Sequence, residues 1–282
     1  MLAERGVLEM RIDREGLMRH HESAMVRLSV NVNKVALLRN SRGGNLPDVI
    51  AAARTCLDAG CHGITVHPRP DARHITYKDV RDLSAMLREE YRTEFNIEGY
   101  PSGDFLDLVC EVKPTQATLV PDPPDALTSD HGWDFIEHRA FLDEITHRLH
   151  ESDIRVSVFA DADPSDAQRA KDCGADRIEL YTGPYAHAFG TAECDRVLAQ
   201  HRETARAAKS IGLGINAGHD LNTKNLPLYV KNVRGLLEVS IGHALFCDAI
   251  YVGLKRTVGL YLKAIGSAPG VKGAPTRRRG AR

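Results

Sequence analysis

Short runs dense in Val, Ile and Leu alternate along this chain with longer segments of helical periodicity. Such runs are typical of parallel strands that are buried on both faces. The runs are Leu28–Asn33, Gly63–His67, Phe95–Tyr100, Ala117–Pro121, Val156–Asp161, Arg177–Thr182, Gly214–Ala217 and Leu237–Gly242. Eight strands, each followed by a helix, predict an α/β fold, a (β/α)8 TIM barrel with extra helices.

Helix start and stop signals support this alternation. Pro47-Asp48 precedes one apolar periodic segment, Thr76 begins a second, and Asp163-Pro164 opens a third that closes at Cys173-Gly174. Residues Ala244 to Ile265 predict one last helix. The long connection Pro121–Trp133 follows the C-terminal end of a strand, where barrel enzymes build their sites.

The chain of 282 residues suits one large domain. We expect the barrel to occupy residues 27–266, after an N-terminal extension of residues 1–26. Met25 lies directly before the first strand and could be the natural start. Residues 267–282 are rich in Gly, Pro and Arg and predict a disordered basic tail.

Composition excludes several classes of function. The formal net charge of −1 gives no general attraction to nucleic acid or to membranes, so neither is expected as a partner. The first 26 residues lack an apolar run, so we expect no signal peptide. The sequence has no 18-residue apolar stretch, so we expect no membrane-spanning helix. None of the six cysteines forms a CxxC pair, which predicts reduced thiols in a cytoplasmic protein.

Polar residues collect at the C-terminal ends of the predicted strands. In a barrel these positions face the mouth, and inward positions alternate along a strand, so Asn31 and Asn33 should share a face. Burying so many polar groups without partners would cost roughly several kcal/mol, which favours a site over a dry core. The candidates at strand ends are Asn31, Asn33, Lys34, His67, Arg69, His74, Glu98, Glu179, His219, Gly242 and His243.

Three kinds of chemistry are available in this set. Carboxylates and imidazoles crowded in a closed mouth suit proton transfer near pH 7, and arginines can hold phosphate in a bidentate manner. Glycines after strands seven and eight allow backbone N–H groups to approach an anion. The candidate acids and bases are His67, Glu98, Glu179 and His219; the candidate anion ligands are Arg39, Arg69 and His74; the glycines are Gly218 and Gly242.

A metal site is the rival use of the histidines. A barrel metallohydrolase usually has a His-x-His pair on strand one, where this chain reads Asn31-Val32-Asn33. Two strand-end glutamates could still bind Mg²⁺ or Mn²⁺. We nevertheless expect no metal, and the lack of a GxGxxG or GxxxxGK[ST] loop gives no support for a nucleotide cofactor.

The residues at the strand ends also resemble those of a known family, the pyridoxine 5′-phosphate synthases. The resemblance runs in order from about Leu28 to about Leu262. It is carried by NVNKVALLRNSRG from Asn31, GITVHPRPDARHI from Gly63, NIE from Asn96, LVP from Leu119 with LT from Leu127, VSVFADAD from Val156, IELYTG from Ile178, NAGH from Asn216 and IGHA from Ile241.

The resemblance implies a reaction: 1-deoxy-D-xylulose 5-phosphate condenses with 3-amino-2-oxopropyl phosphate to give pyridoxine 5′-phosphate, phosphate and water, without an organic cofactor. It also implies a homo-oligomer, an octamer built from dimers. By the same resemblance His67 is the first proton acceptor, Glu98 a second base, His219 the proton donor and Glu179 a transition-state stabiliser. Arg69, His74 and Thr128 contact the deoxyxylulose phosphate, Asn31 and Arg39 contact the amino-oxopropyl phosphate, and Gly242 and His243 form the product-phosphate corner.

The chain departs from the family pattern at several positions. Asn33 and Lys34 replace an Asp-His pair that contacts substrate, and Asp220 replaces the usual glycine beside His219. We keep these three as candidate substrate contacts. Two other functions stay open at this point. One is a barrel aldolase or epimerase that acts on a related sugar phosphate, and Lys34 could form the Schiff base of an aldolase. The other is a non-catalytic phosphate-binding relative, which would keep the anion-binding residues.

Overall fold

The structure is a computed structural model that describes residues 25–122 and 129–267. The predicted N-terminal extension and basic tail lie almost wholly outside these residues, as does Thr128. No helix in the described part of the chain is long and apolar enough to cross a membrane. All six cysteines are free, and four of them, Cys56, Cys61, Cys173 and Cys194, are buried.

Eight parallel strands close into a barrel, which confirms the predicted fold. Each strand pairs with the next, and β1 pairs with β8 to complete the ring. The strands are β1 Arg27–Asn31, β2 Gly63–Val66, β3 Glu94–Gly99, β4 Gln116–Leu119, β5 Arg155–Ala160, β6 Arg177–Tyr181, β7 Gly214–Gly218 and β8 Leu236–Ile241. Each lies within two residues of the predicted bounds, but Asn33 belongs to a helix, so its predicted strand alternation with Asn31 is wrong.

Helices surround the barrel in the described residues, and there are more of them than one for each strand. They are α1 Asn33–Asn40, α2 Val49–Asp58, α3 Tyr77–Glu90, α4 Gly103–Val112, α5 Arg139–His150, α6 Pro164–Asp172, α7 Gly183–Ala188, α8 Cys194–Ser210, α9 Leu226–Asn232, α10 His243–Val252 and α11 Leu254–Ala264. Extra helices were predicted, and α1 and α7 begin within two residues of a strand end at the mouth.

The helix starts follow the sequence signals. Thr76 Oγ1 accepts a hydrogen bond from the backbone N–H of Asp79, and the Asp79 carboxylate accepts one from the backbone N–H of Thr76, which completes a capping box. Asp48 and Asp163 cap α2 and α6 by accepting from the backbone N–H groups of Ala51 and Ser165. The predicted single last helix is wrong, because Gly253 has φ of +85° and separates α10 from α11.

The interior of the barrel is polar, whereas its outer face is apolar. Leu28, Val30 and Ile64 are fully buried beneath the helices, and burying each such side chain stabilises the fold by roughly 1.5–3 kcal/mol. Ser29 and Thr65 instead share a hydrogen bond of 2.6 Å inside the buried interior. The strands are therefore buried on both faces, as predicted, with an apolar outer face and a polar inner face.

Candidate active site

One cavity opens at the C-terminal ends of the strands, and nearly all predicted site residues line it. The polar strand ends meet there because all eight strands run in the same direction. The predicted residues on its wall are Asn31, Asn33, Lys34, His67, Arg69, His74, Glu98, Glu179, His219, Asp220, Gly242 and His243.

Arg39 is the described candidate that the structure does not bring to this cavity. Its guanidinium lies on α1 and donates to both carboxylate oxygens of Asp79, at 2.5 and 2.9 Å. It also donates to the backbone carbonyl of His74 at 3.4 Å. Arg39 therefore ties α1 to the cap of α3 in this chain, and its role as a substrate contact stays a prediction. Thr128 lies outside the described residues.

Glu98 lies at the end of β3 and faces neutral hydrogen-bond donors. Asn31 Nδ2 donates to Glu98 Oε2 at 3.3 Å, and Ser240 Oγ donates to Oε1 at 3.4 Å. Burial raises the pKa of Glu98 to about 7, although the Ser240 hydrogen bond and His219 oppose this shift. Glu98 can therefore take up and release a proton near neutral pH. Ser240 was missed by the sequence analysis, although it stands two residues before Gly242 on the inward face of β8.

Glu179 lies on β6 beside Gly218 of β7 and is only 4% exposed. Burial raises its pKa well above the usual range, and the charges of Glu98 and Glu238 add to the rise. Burial therefore favours the protonated form of this carboxyl group, which can donate a hydrogen bond. A Cβ on Gly218 would stand 2.5 Å from Glu179 Oε1, so only glycine leaves room for this carboxyl.

His67 and His74 form an edge-to-face pair with ring centroids 6.3 Å apart. Burial lowers the pKa of His67 well below its usual range, and the nearby Arg69 lowers it further. Burial likewise lowers the pKa of His74 to about 4. Both rings are neutral at pH 7, so His67 can accept a proton. His74 Nδ1 accepts from the N–H of Ile75 at 2.9 Å, which leaves the ring proton on Nε2 as a neutral hydrogen-bond donor.

Arg69 is the buried cation of the cavity, and Asp122 holds it. Its guanidinium donates to Asp122 Oδ2 at 2.6 Å, and both side chains are at most 5% exposed. Ser129 also donates to Asp122 Oδ2 at 2.6 Å. Asp122 was not predicted as a site residue, although it stands in the long loop after β4. This pairing fixes the direction of Arg69 towards the cavity wall.

Two asparagines at the end of β1 and the start of α1 form hydrogen bonds along the cavity wall. The N–H of Asn33 donates to Asn31 Oδ1 at 3.0 Å, and Asn33 Oδ1 accepts from the N–H of His67 at 2.9 Å. Asn33 therefore positions the backbone of His67, a contact that the sequence could not indicate. Lys34, at the start of α1, adds a positive charge that lowers the pKa of His74.

The β8 end offers backbone N–H groups at the start of a helix. Gly242 is the N-cap residue of α10, and His243 is the first residue of that helix. A Cβ on Gly242 would lie 3.1 Å from the backbone oxygen of Asn31, so the backbone here approaches β1 closely. Helix N-termini of this kind favour anions.

His219 follows β7 in an uncommon backbone conformation. Both His219 and Asp220 have positive φ, at +78° and +57°, and each such non-glycine residue costs of order 1–3 kcal/mol. His219 Nδ1 lies 3.0 Å from Asp220 Oδ2. The ring also meets Tyr181 edge to face, with centroids 5.4 Å apart. The turn therefore holds an imidazole and a carboxylate together at the mouth.

These parts support acid/base chemistry on an anionic molecule. Neutral histidines, a carboxyl group with pKa of about 7 and a second carboxyl group with a raised pKa surround one space, with Arg69 and Lys34 on its wall. The fold and the site thus define a (β/α)8 barrel with an acid/base centre and anion ligands at its C-terminal mouth.

Comparison with known proteins identifies the family. The model of the family described as pyridoxal phosphate biosynthesis protein PdxJ matches residues 28–267. This chain belongs to that family. A pyridoxine 5′-phosphate synthase from Parabacteroides distasonis is 51% identical over 243 residues, which cover 86% of this chain and 100% of that one. The enzyme of the same name from Mesorhizobium japonicum is 50% identical over 242 residues, covering 85% of this chain and 98% of that one.

Solved structures of low identity share the fold. The tryptophan synthase A-subunit from Pyrococcus furiosus superposes with a TM-score of 0.59 at 13% identity, covering 85% of this chain and 98% of that one. Thiamine phosphate pyrophosphorylase from Pyrococcus furiosus gives 0.54 at 13% identity, covering 86% and 96%. At this identity the likeness concerns the barrel alone.

Proposed function

We propose that this protein is a pyridoxine 5′-phosphate synthase, which joins 1-deoxy-D-xylulose 5-phosphate to 3-amino-2-oxopropyl phosphate and releases phosphate and water. Membership of the family and the names of its relatives support the reaction. The observation that carries the proposal is the grouping of four titratable side chains, His67, Glu98, Glu179 and His219, around one cavity. Imine formation, loss of water and ring closure move protons in both directions, which requires several acids and bases.

The proton acceptors in this scheme are His67 and Glu98. A neutral imidazole and a carboxylate with pKa of about 7 are suited to accept protons at pH 7. Glu179 stabilises the transition state as a neutral carboxyl group that donates a hydrogen bond. His219 returns the proton to the leaving group.

Phosphate groups bind at the two sides of the mouth. Arg69, His74 and Thr128 hold the deoxyxylulose phosphate; Lys34 supplies charge and Asn33 a hydrogen bond nearby. Asn31 and Arg39 serve the amino-oxopropyl phosphate, and Gly242 with His243 receives the product phosphate at the start of α10. Asp220 lies at the rim beside His219, where it borders the same molecules. No metal and no organic cofactor takes part in the proposed scheme.

An assay with purified protein tests this proposal. Both phosphorylated substrates are mixed with the protein, with and without divalent metal, and released phosphate and pyridoxine 5′-phosphate are measured. We expect both products only when both substrates are present. Substrate binding without turnover would favour a phosphate-binding relative, and turnover of a single sugar phosphate would favour an aldolase or epimerase.

A pair of histidine variants sharpens the test. His67→Asn should lower the rate by about 10²–10⁴, since a general base is lost. His62 is a matched control because it is also buried, and its Nδ1 accepts from the N–H of Leu28 at 3.0 Å, before β2 and away from the mouth. His62→Asn keeps an acceptor there and should leave the rate unchanged. Equal loss in both variants would contradict the role of His67.

We further propose that the protein assembles as a cytoplasmic homo-oligomer, an octamer built from dimers. Exposed apolar side chains on neighbouring helices support an interface: Leu38 of α1 is 62% exposed, and Ile250 and Tyr251 of α10 are 77% and 89% exposed. Light scattering on the full chain measures the mass. A monomer at micromolar concentration would contradict this proposal.

A further inference from the structure

The turn that carries His219 is held by its carbonyl groups. Thr182 Oγ1 donates to the carbonyl oxygen of Gly218 at 2.5 Å and also to that of His219. Asn225 Nδ2 donates to the carbonyl oxygen of Asp220 at 3.2 Å. Three consecutive carbonyls are thus bound by side chains from two other segments, which hold both left-handed residues in place.

The side chains of this turn face one another. His219 Nδ1 lies 3.0 Å from Asp220 Oδ2, and an ionised carboxylate can only accept, so Nδ1 carries the proton of this hydrogen bond. The same hydrogen bond lowers the pKa of Asp220, although burial opposes the shift. Asp220 is therefore ionised at neutral pH. Because Nδ1 is committed to Asp220, proton transfer by His219 falls to Nε2.

We propose that Asp220 is a positioning residue for His219: through its hydrogen bond to Nδ1 it fixes the ring and its tautomer so that Nε2 transfers the proton. This inference rests on the proposed function, in which His219 is the proton donor. Asp220 does not touch the reacting atoms in this scheme and acts through the histidine.

Other titratable groups also face His219 and Asp220. Around His219 these are Glu98 on β3, Tyr181 on β6 and Asp130 in the loop after β4. Around Asp220 they are His187 on α7 and His243 at the start of α10. Asp130 is the natural control, because its charge acts on His219 through space while its own hydrogen bond goes to His131 at 2.6 Å.

Two substitutions of Asp220 separate charge from orientation. Asp220→Asn removes the charge and keeps a residue that tolerates positive φ, whereas Asp220→Gly removes the side chain and suits the same φ. His219 must be protonated to act as the proton donor. The loss of this proton therefore produces the basic limb of the profile of kcat/KM against pH. In both variants we expect that limb to move to lower pH by about half a unit to one unit, since Asp220 is 38% exposed and its charge is screened.

Asp220→Gly should lower kcat further than Asp220→Asn, with KM less affected, because the ring loses its partner as well as the charge. Asp130→Asn should move the limb much less, because Asp130 is exposed and its hydrogen bond goes to His131. Thermal melting of each variant reports whether the fold is kept, and the glycine variant decides the matter if the asparagine variant unfolds. Unchanged profiles in both variants, or an equal shift in Asp130→Asn, would overturn the proposal.

A readout without catalysis separates this proposal from the proposed function. Diethyl pyrocarbonate modifies neutral imidazole, and trypsin releases residues 210–224 with His219 as their one histidine. The pH at half-maximal modification of that peptide should fall in Asp220→Asn. Residues 140–148, which contain His147 with 80% side-chain exposure, serve as the reference in the same digest. If the wild-type protein forms no pyridoxine 5′-phosphate, the proposed function alone is contradicted. If the pH at half-maximal modification of the His219 peptide is the same in Asp220→Asn as in the wild type, the proposed role of Asp220 is contradicted.

Discussion

A partly buried glutamate lies near each end of the barrel, and the two glutamates have different hydrogen-bond partners. At the N-terminal end Glu94 accepts hydrogen bonds from Arg27 and Arg155 at 2.8 and 2.6 Å. Arg155 also donates to Gln116 at 2.9 Å. At the C-terminal mouth Glu98 is met by neutral donors at 3.3 and 3.4 Å, and its pKa rises to about 7.

The difference shows how one residue type serves two purposes. A carboxylate with a cation at hydrogen-bond distance stays charged and contributes to stability. A carboxyl group buried among neutral donors costs stability when it ionises, and gains a pKa useful for proton transfer. Barrels commonly divide catalysis and stability between their two faces in this manner.

Glu98→Gln should have the largest effect on activity. The substitution keeps the size of the side chain and removes the base, so kcat should fall by about 10²–10⁴. Wild-type activity should rise with pH through about 7 as Glu98 loses its proton, and the variant should lack this rise. Product formation from pH 5.5 to 8.5 measures both.

The melting temperature of Glu98→Gln supplies its control. Since the wild-type carboxyl group is costly to ionise in the fold, the variant should be at least as stable as the wild type at pH 8. Wild-type turnover in Glu98→Gln would remove Glu98 from the mechanism.

Arg155→Met, at the N-terminal end of the barrel, should lower the stability of the fold and leave the activity unchanged. It removes a cation from Glu94 and a donor from Gln116, and the loss should be about 2–3 kcal/mol in the free energy of unfolding. Urea unfolding measures the loss, while kcat should stay at the wild-type value. Arg27→Met, at a more exposed arginine on the same Glu94, should cost less than about 1 kcal/mol. A fall in kcat for Arg155→Met without a loss of stability would contradict this division.

Glu238 lies between the two ends and should set the pH dependence of stability. Burial and the charge of Glu94 raise its pKa to about 7, above the value of about 4.3 in an unfolded chain. Its ionisation therefore destabilises the folded protein, and stability is lost as pH rises from about 4.3 to about 7.

Glu238→Gln should be more stable than the wild type at pH 8, by up to about 3–4 kcal/mol in the free energy of unfolding. This difference should narrow as the pH falls to 5. Urea unfolding at both pH values measures it. The exposed Glu89 provides the control, since Glu89→Gln should show no such gap. A gap that widens at low pH would mean that Glu238 is ionised at little cost.

The sequence predicted the strands well because their signal is local. Strand length, apolar density and flanking glycines are written in neighbouring residues, and parallel strands bring their C-terminal ends to one mouth. Glu98, Glu179 and His219 could therefore be assigned to one site before their distances were known. The capping signals at Thr76 and Asp163 were local in the same sense.

What the sequence could not predict depends on partners far along the chain. Arg39 was expected in the cavity, but Asp79, forty residues later, holds its guanidinium. Asp122 pairs with Arg69 across fifty-three residues, and Ser240 reaches Glu98 across 142. The break at Gly253 was missed because glycine within an apolar helical pattern is tolerated as often as it ends a helix.

Glu179→Gln should lower kcat much less than Glu98→Gln, although Glu179 lines the same cavity as Glu98. Two neighbouring buried carboxyl groups do not both ionise readily, and the one with the higher pKa keeps its proton. Glutamine is neutral and retains hydrogen-bond donors, so kcat should fall by less than about tenfold.

Glu179→Ala provides the contrast, since it removes the donor and should lower kcat by about 10²–10³. Comparison of kcat for Glu179→Gln, Glu179→Ala and Glu98→Gln at pH 7 decides the assignment. If Glu179→Gln lost as much activity as Glu98→Gln, Glu179 would be acting in its ionised form. Glu98 would then not be the one carboxyl group at the mouth that transfers protons, and Glu179 would not be the one that keeps its proton.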